Sequence, residues 1–355
     1  MLFLGAGASK PLGIPTMREF TDVILNELNS RAKSQTQKNI IRDYLPHLQE
    51  IQSDVSGFGW EPDIESILSV LEARAEPRRA LENIGPMITL YSKRRANISA
   101  DSKAEQVIRE IEDIIYEKCM NDLNHDLAVR YYSDLWETMS RNIRLLDEKG
   151  HSYSMANGDI LIREVFTTNY DLAIETFLKQ RRIHYDDGYD KDPERDLSFT
   201  SQWRDNSVNL FKLHGSINYY VRTNGKVIQS DTEISEKDFY GRKVERMMIY
   251  PAGAKYTSQW PYYEYLLQLR RALIESRLCV VIGYSFRDPA IMNAFLDVIQ
   301  RRPDLRIFLV SPSAENIHSY LPRDLRKQVH PIPANFGDPS MPDIIMQEAA
   351  RWKME

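Results

Sequence analysis

The sequence contains only two cysteines in 355 residues, Cys119 and Cys279, and they lie far apart in the chain. Two thiols cannot form a four-cysteine zinc site, and neither belongs to a CxxC pair. A framework of several disulfides, typical of small secreted proteins, is excluded as well. Cys279 lies in the apolar stretch LCVVIGYS, which predicts a small core residue. We therefore expect a reducing compartment and a cytoplasmic protein.

Long hydrophobic runs and a strong charge bias are absent too. No stretch reaches the roughly 18 apolar residues that a membrane-spanning helix needs. The formal net charge is −5, so no overall positive field predicts contact with nucleic acid. The seven histidines do not cluster at metal-ligand spacing. We expect no membrane association, no direct nucleic-acid binding and no bound metal.

Two kinds of segment alternate along much of the chain. The runs LCVVIG and RIFLVS are apolar on both faces, as in parallel strands covered by helices. The segment DPAIMNAFLDVIQRR has a helical pattern, with Asp288 as the predicted N-cap and Pro289 in the first turn. Asn224 and Gly225 predict a hairpin inside INYYVRTNGKVIQ. This alternation predicts an α/β fold with a doubly wound, mostly parallel Rossmann-like sheet.

Residues 35–150 have a different character. Glycine is scarce there, and apolar residues recur at spacings of three and four in long polar stretches. The clearest apolar face consists of Val107, Ile108, Ile111, Ile114 and Ile115. We predict a helical insertion subdomain over 35–150, within a Rossmann-like domain formed by 1–34 and 151–355.

Small or polar residues follow five of the predicted strands. These strand ends are GAGAS (5–9), TTNYD (167–171), HGS (214–216), GYS (283–285) and SPS (311–313). Ligand-binding groups collect at the carboxyl ends of strands in an open parallel sheet. We therefore expect the five segments to meet at one cleft.

The GAGAS turn would let backbone amides approach a diphosphate at the start of a helix. It lacks the third glycine of GxGxxG, and no GK[ST] follows as in a Walker loop. Taken alone, the turn is equally consistent with a tight turn that binds nothing.

Four segments together resemble the motifs of sirtuins, in the same order, when GAGAS and the nearby GIP are counted as one segment. Sirtuins carry a GAGxS turn followed by GIP, then TQNxD, an HG pair with the catalytic histidine, and a GTS turn. This chain has GAGAS, GIP at 13–15, TTNYD, KLHGS and GYS. The resemblance covers about residues 1–30 and 160–320, and it implies a sirtuin-like fold that uses NAD.

Two departures from the sirtuin pattern bear on the substrate. Thr16 and Met17 stand where sirtuins continue with an aromatic residue and an arginine. The four cysteines of the zinc ribbon that supports peptide binding in sirtuin deacylases are also missing. With its helical block, the chain most resembles the bacterial sirtuin-like domains of antiphage defence, which hydrolyse NAD.

The resemblance implies a catalytic pair, Asn169 and His214. Asn169 would hold the ribose or the attacking water. His214 would act as general base or ribose-hydroxyl partner, a role that the near-neutral pKa of an ordinary imidazole permits. The implied NAD-binding residues are Gly5, Ala6, Gly7, Ser9, Gly13, Ile14, Pro15, Thr168, Asp171, Gly283, Tyr284, Ser285 and Ser311.

Three of the polar candidates also have a purely structural interpretation. Asn169 could cap a helix that begins at Tyr170 or Asp171. Asp171 could be a first-turn helix residue, and His214 could be a turn histidine. We interpret Asp288 as a helix cap and not as a ligand contact.

The implied function is an NAD glycohydrolase that acts in antiphage defence by depleting NAD. The alternatives are a regulatory module that binds NAD or ADP-ribose without catalysis and, less favoured, a protein deacylase. Unregulated NAD hydrolysis would kill the cell that contains it, so we expect a homo-oligomer. A HerA-type ATPase or a short Argonaute is the expected kind of partner.

Overall fold

The computed structural model describes residues 1–33, 40–57, 63–75, 102–143, 162–189, 203, 207–230, 233–234, 237–238, 241–248 and 261–353. Within them lie ten strands: β1 (Leu2–Leu4), β2 (Glu164–Thr167), β3 (Tyr185–Asp186), β4 (Val208–Lys212), β5 (Gly215–Arg222), β6 (Val227–Gln229), β7 (Val244–Met248), β8 (Leu278–Ile282), β9 (Arg306–Val310) and β10 (Val329–Ile332). The helices are α1 (Ala6–Ser9), α2 (Met17–Lys33), α3 (Ile40–Gly57), α4 (Ile64–Ala75), α5 (Ser102–Asn121), α6 (His125–Ile143), α7 (Ala173–Gln180), α8 (Tyr262–Glu275), α9 (Pro289–Ile299), α10 (Ala314–Tyr320), α11 (Arg323–Arg326) and α12 (Met341–Lys353).

Seven strands form one sheet in the order β10-β9-β8-β1-β2-β4-β3. Every neighbouring pair in it is parallel. Strands β1 and β8 are almost wholly buried because helices cover such a sheet on both faces. The predicted doubly wound, mostly parallel Rossmann-like sheet is confirmed.

The strand order reverses between β1 and β8. The chain places β2, β4 and β3 on one side of β1, and then β8, β9 and β10 on the other. Open parallel sheets bind ligands at such a reversal, beyond the carboxyl ends of the strands. The ends of β4, β2, β1, β8 and β9 therefore lie side by side at one edge, as the five polar segments predict.

A second sheet has the order β6-β5-β7 and is antiparallel. The turn between β5 and β6 contains Asn224 and Gly225, and the φ of Gly225 is +79°. The predicted hairpin is confirmed.

Local sequence signals also set several helix starts. Asp288 caps α9, because its Oδ1 accepts hydrogen bonds from the backbone N–H groups of Ala290 and Ile291. At the start of α2, the backbone N–H and the hydroxyl of Thr16 both donate to Glu19.

Cys279 is buried in β8, and burial raises the pKa of its thiol to about 12, as expected for a core residue.

Contacts between residues divide the chain into two units. The described parts of the second unit are 15–33, 40–57, 63–75 and 102–121. Its helices α2, α3, α4 and α5 each contact the other three. Val107, Ile111, Ile114 and Ile115 of the predicted apolar face are buried there, and Ile108 is half-buried.

The bounds of this unit differ from the predicted insertion at 35–150. Helix α2 belongs to it, and α6 belongs to the first unit. Aromatic packing explains the place of α6: the Tyr132 ring lies 5.8 Å from Phe177 in α7 and 4.8 Å from Phe336. Residues 144–150 lie outside the described part of the chain.

Across the described residues, none of the helices combines the length and the apolar character needed to span a membrane.

Candidate functional site

The turns after β1 and β8 interlock through their backbones. Gly5 N–H donates to Ile282 O and Gly7 N–H donates to Gly283 O, both at 2.9 Å. A Cβ on Gly5 would lie 2.6 Å from the oxygen of Gly283, and one on Gly283 would lie 2.3 Å from the nitrogen of Ala8. Glycine is therefore required here by close approach of two backbones, whether or not a phosphate binds.

Replacing Gly283 tests this explanation. Gly283 has a φ of +66°. Gly225 has a φ of +79°, and no atom of the described residues lies within 4 Å of the position that its Cβ would take. Gly225→Ala incurs only the left-handed backbone cost of about 1–2 kcal/mol. Gly283→Ala adds overpacking of about 1–3 kcal/mol. Urea unfolding should therefore show a clearly larger loss for Gly283→Ala, and equal losses would contradict the close-packing account.

A chain of buried hydrogen bonds joins the turn after β1 to the turn after β2. The Asn169 side-chain amide donates to Gly5 O at 3.0 Å and to Ser9 Oγ at 2.8 Å. Ser9 Oγ in turn donates to Asp171 Oδ2 at 2.6 Å. Asn169, Ser9 and Asp171 are each at most 6% exposed. Three residues from two distant segments thus form one hydrogen-bonded polar cluster.

The other side-chain atom of Asn169 has a different environment. Its Oδ1 is buried and accepts no hydrogen bond from any residue that the structure describes. Leaving such an acceptor unsatisfied costs about 1–3 kcal/mol. A buried polar atom without a hydrogen-bond partner needs an explanation, and a hydrogen bond donated by a bound ligand would provide one.

The helix-cap interpretation does not fit Asn169. Helix α7 begins at Ala173, with Leu172 at the N-cap position. The carboxylate that accepts a bond from the Ala173 N–H is that of Asp171, at 2.9 Å. Asp171 therefore both supports the start of α7 and holds Ser9.

His214 lies in the turn between β4 and β5 and is only 3% exposed. Its Nε2 is 3.1 Å from Oδ2 of Asp288, which is also 3% exposed. The ring centroid of Tyr170, the residue after Asn169, is 6.5 Å from that of His214. Gly215 has a φ of +84°, and a Cβ there would lie 2.1 Å from the oxygen of Met247, so the HG pair needs its glycine.

Sequence reasoning missed Lys212, which is fully buried. Its ammonium donates to the carbonyl oxygens of Tyr170 and Asp171 and lies 2.9 Å from Glu175 Oε1. Burial raises the pKa of Glu175, and the positive charge of Lys212 opposes that rise. Lys212 thereby holds the backbone of the segment that carries Asn169. A lysine inside the otherwise apolar run LFKL was the available signal.

The remaining candidates, in the segments that follow β8 and β9, make contacts within the protein. The Tyr284 ring packs 4.8 Å from Phe3. The Ser285 carbonyl accepts a bond from the Tyr320 hydroxyl at 3.0 Å. Ser311 Oγ accepts one from the Ser313 N–H at 3.2 Å. Their contacts with a nucleotide stay predictions.

The other predicted NAD-binding residues, most of them near the N-terminus, do not all adjoin this cluster. Thr168 N–H donates to Leu4 O at 3.0 Å and Ile14 N–H donates to Ser9 O at 3.2 Å, so both adjoin the cluster. Gly13 has a φ of +99° and approaches the oxygen of Asp122 so closely that a Cβ would lie 2.3 Å from it. Ala6 begins α1. Pro15 belongs to the second unit.

Among the residues that the structure describes, no group of three or more histidine, cysteine, aspartate or glutamate side chains is arranged to hold a metal ion.

Residues 163–331, a little under half of the chain, match the family model described as the SIR2-like domain. The match includes the TTNYD, KLHGS and GYS segments and begins after the GAGAS turn. This part of the chain is therefore similar to the SIR2-like domain, in line with the motif resemblance to sirtuins. No curated protein matches the sequence.

Several solved structures of Sir2 proteins are similar to the whole chain. A Sir2 homologue variant in complex with ADP-ribose has 14% identity and a TM-score of 0.46, over 99% of this chain and 92% of that one. A Sir2 homologue in complex with NAD has 13% identity and a TM-score of 0.45, over 99% and 89%. A Sir2 protein bound to a propionylated peptide has 13% identity and a TM-score of 0.38, over 98% and 92%.

Proposed function

We propose that this protein is an NAD glycohydrolase, which cleaves NAD to nicotinamide and ADP-ribose. The observation that carries the proposal is the buried amide of Asn169. Its nitrogen is held by Gly5 and Ser9, and its oxygen is buried with no donor among the described residues. This amide lies within residues 163–331, which match the SIR2-like domain. The resemblance of the chain's motifs to those of sirtuins implies NAD as the substrate.

The reaction needs few groups from the protein. The bond between ribose C1′ and the nicotinamide nitrogen breaks, and its electron pair neutralises the positive ring. A water oxygen bonds to C1′ and releases a proton, so the products are nicotinamide, ADP-ribose and a proton. Because the transition state resembles an oxocarbenium ion, catalysis depends on holding the ribose and placing the water.

Asn169 and His214 are suited to these two tasks. Two hydrogen bonds fix the Asn169 amide, so its Oδ1 is a preorganised acceptor for a ribose hydroxyl or for the attacking water. His214 is the group that takes up the proton of the water or of a ribose hydroxyl. The lack of four zinc-binding cysteines supports hydrolysis over protein deacylation.

We further propose that the activity serves bacterial antiphage defence through depletion of NAD. An enzyme that removes NAD from its own cell has to be held inactive until needed. Control through a homo-oligomer and through a HerA-type ATPase or a short Argonaute would meet this need.

The test is an NAD-turnover assay on the purified protein, alone and with the products of neighbouring genes. Asn169→Ala should lower the rate of nicotinamide release by about 10²–10³-fold, because a preorganised polar contact in the transition state is lost. Asn316→Ala removes an exposed asparagine of α10 and should leave the rate unchanged. Equal rates for wild type and Asn169→Ala under activating conditions would contradict the proposal. NAD binding without turnover would indicate the regulatory module instead.

A further inference from the structure

Asp288 connects two elements that are remote in sequence. Its Oδ1 accepts hydrogen bonds from the N–H groups of Ala290, at 2.8 Å, and Ile291, at 3.2 Å, at the start of α9. Its Oδ2 lies 3.1 Å from Nε2 of His214, which is 74 residues away in the chain. Both oxygens of one buried carboxylate are therefore engaged, one by a helix and one by the imidazole.

Helix capping alone does not explain an aspartate at this position. Asparagine and serine cap helices about as well as aspartate, and neither carries a charge. A buried carboxylate is costly unless it is hydrogen-bonded and stabilised by positive charge or dipoles. The N-terminus of α9 supplies two N–H donors and a favourable dipole. The remaining oxygen is thereby held against His214 as a fixed acceptor.

A fixed carboxylate decides the protonation pattern of the imidazole. An ionised carboxylate only accepts hydrogen bonds, so the nitrogen facing it, Nε2, carries the proton. In the neutral ring the basic lone pair then lies on Nδ1. A carboxylate in this place also stabilises the imidazolium that forms when Nδ1 gains a proton.

We propose that Asp288 is the positioning residue of His214: it orients the ring, places the basic lone pair on Nδ1 and stabilises the protonated ring during NAD hydrolysis. This role rests on the proposed function. In the hydrolytic step the proton passes from water or a ribose hydroxyl to Nδ1, the Nε2 proton stays between His214 and Asp288, and Asp288 stays ionised. The hydrogen bonds from the N–H groups of α9 keep the carboxylate in place while the charge on the ring changes.

Two cap-preserving substitutions separate positioning from folding. Asp288→Asn and Asp288→Ser both keep an oxygen for the N–H groups of α9 and remove the carboxylate. We expect each to lower kcat by about 10- to 100-fold, a part of the roughly 10²–10⁴-fold that a general base supplies. The KM for NAD and the melting temperature should stay close to wild type. Adding Asp288→Asn to His214→Gln should cause no further loss, because both residues act in one unit.

A spectroscopic measurement tests the positioning without turnover. In protein labelled with ¹⁵N-histidine, the His214 signals are those that disappear in His214→Gln. Wild type should show the Nε2–H form or the doubly protonated form. Asp288→Asn, whose amide can donate, should admit the Nδ1–H form.

The results discriminate between failure of this proposal and failure of the proposed function. Wild-type kcat in both cap-preserving variants, with an active wild type, would overturn the role of Asp288. An Nδ1–H tautomer in the wild-type protein would overturn it as well. If the wild type hydrolyses no NAD with any partner, the proposed function fails, and the tautomer measurement still decides whether Asp288 orients His214.

Discussion

Replacing His214 by alanine is expected to lower the rate of the proposed NAD hydrolysis by about 10²–10⁴-fold, the usual contribution of a general base, which is the role proposed for His214. The reason is the position of His214. Its side chain is buried in the turn between β4 and β5, and its Nε2 lies 3.1 Å from the Asp288 carboxylate. Asp288 keeps its two backbone N–H partners in the variant, so the fold should persist. The measurement is nicotinamide release at saturating NAD under activating conditions.

Two further variants make this result interpretable. His214→Gln retains a donor toward Asp288 but no base, so it should be as inactive as His214→Ala and at least as stable. His47→Ala removes a histidine whose side chain is 53% exposed in the second unit, and it should be fully active. Activity of His214→Gln within about threefold of wild type would show that His214 is not the base, since a general base supplies far more than that.

Replacing Lys212 by methionine is expected to lower the free energy of unfolding by about 3–5 kcal/mol, the usual effect of breaking a buried ion pair from one side. The variant leaves the Glu175 carboxylate buried without its cation. It also removes the donor to the carbonyl oxygens of Tyr170 and Asp171. Urea unfolding followed by circular dichroism, in parallel with the NAD-turnover assay, measures both consequences.

The ion pair between Lys212 and Glu175 also predicts that a second substitution restores part of the lost stability. Lys212→Met combined with Glu175→Leu removes both charges, so it should be more stable than Lys212→Met alone. Lys327→Met changes a lysine whose side chain is 62% exposed, and it should have no measurable effect. A Lys212→Met protein as stable as wild type would show that the ion pair contributes nothing to the fold.

The destabilisation by Lys212→Met should also depend on pH. The pKa of Glu175 is already raised above its ordinary value of 4.5 by burial, and loss of Lys212 raises it further. A carboxyl whose pKa is raised in the folded state costs stability only as pH rises above its unfolded value. The difference between variant and wild type should therefore be smaller in acid, where Glu175 is protonated in both folded proteins, and increase as pH rises above the raised folded-state pKa of wild-type Glu175. A difference that is independent of pH would contradict this account.

The glycines of the first turn have a structural cause that the local sequence did not reveal. From sequence, GAGAS indicated either a diphosphate-binding turn or a tight turn. In the structure Gly5 and Gly283 are required because two backbones meet at the point where the strand order reverses. That contact brings together residues from distant segments, so no local pattern could reveal it.

The sequence by itself determined the class of fold and the order of its elements. Apolar runs, helical periodicity, the Asn224–Gly225 turn and the Asp288 cap are local properties, since each depends on neighbours within a few residues. It also determined which strand ends carry the polar segments, because the carboxyl ends of parallel strands share one edge.

Only the tertiary structure decided how those segments are used. It decided that Asn169 is held by Ser9 and Gly5, that Asp288 reaches His214, and that Lys212 is buried against Glu175. It also assigned α6 to the first unit, through aromatic contacts with α7 and Phe336. The physical reason is the same in each case: these contacts join residues far apart in the chain, and their partners are set by which elements the fold places side by side.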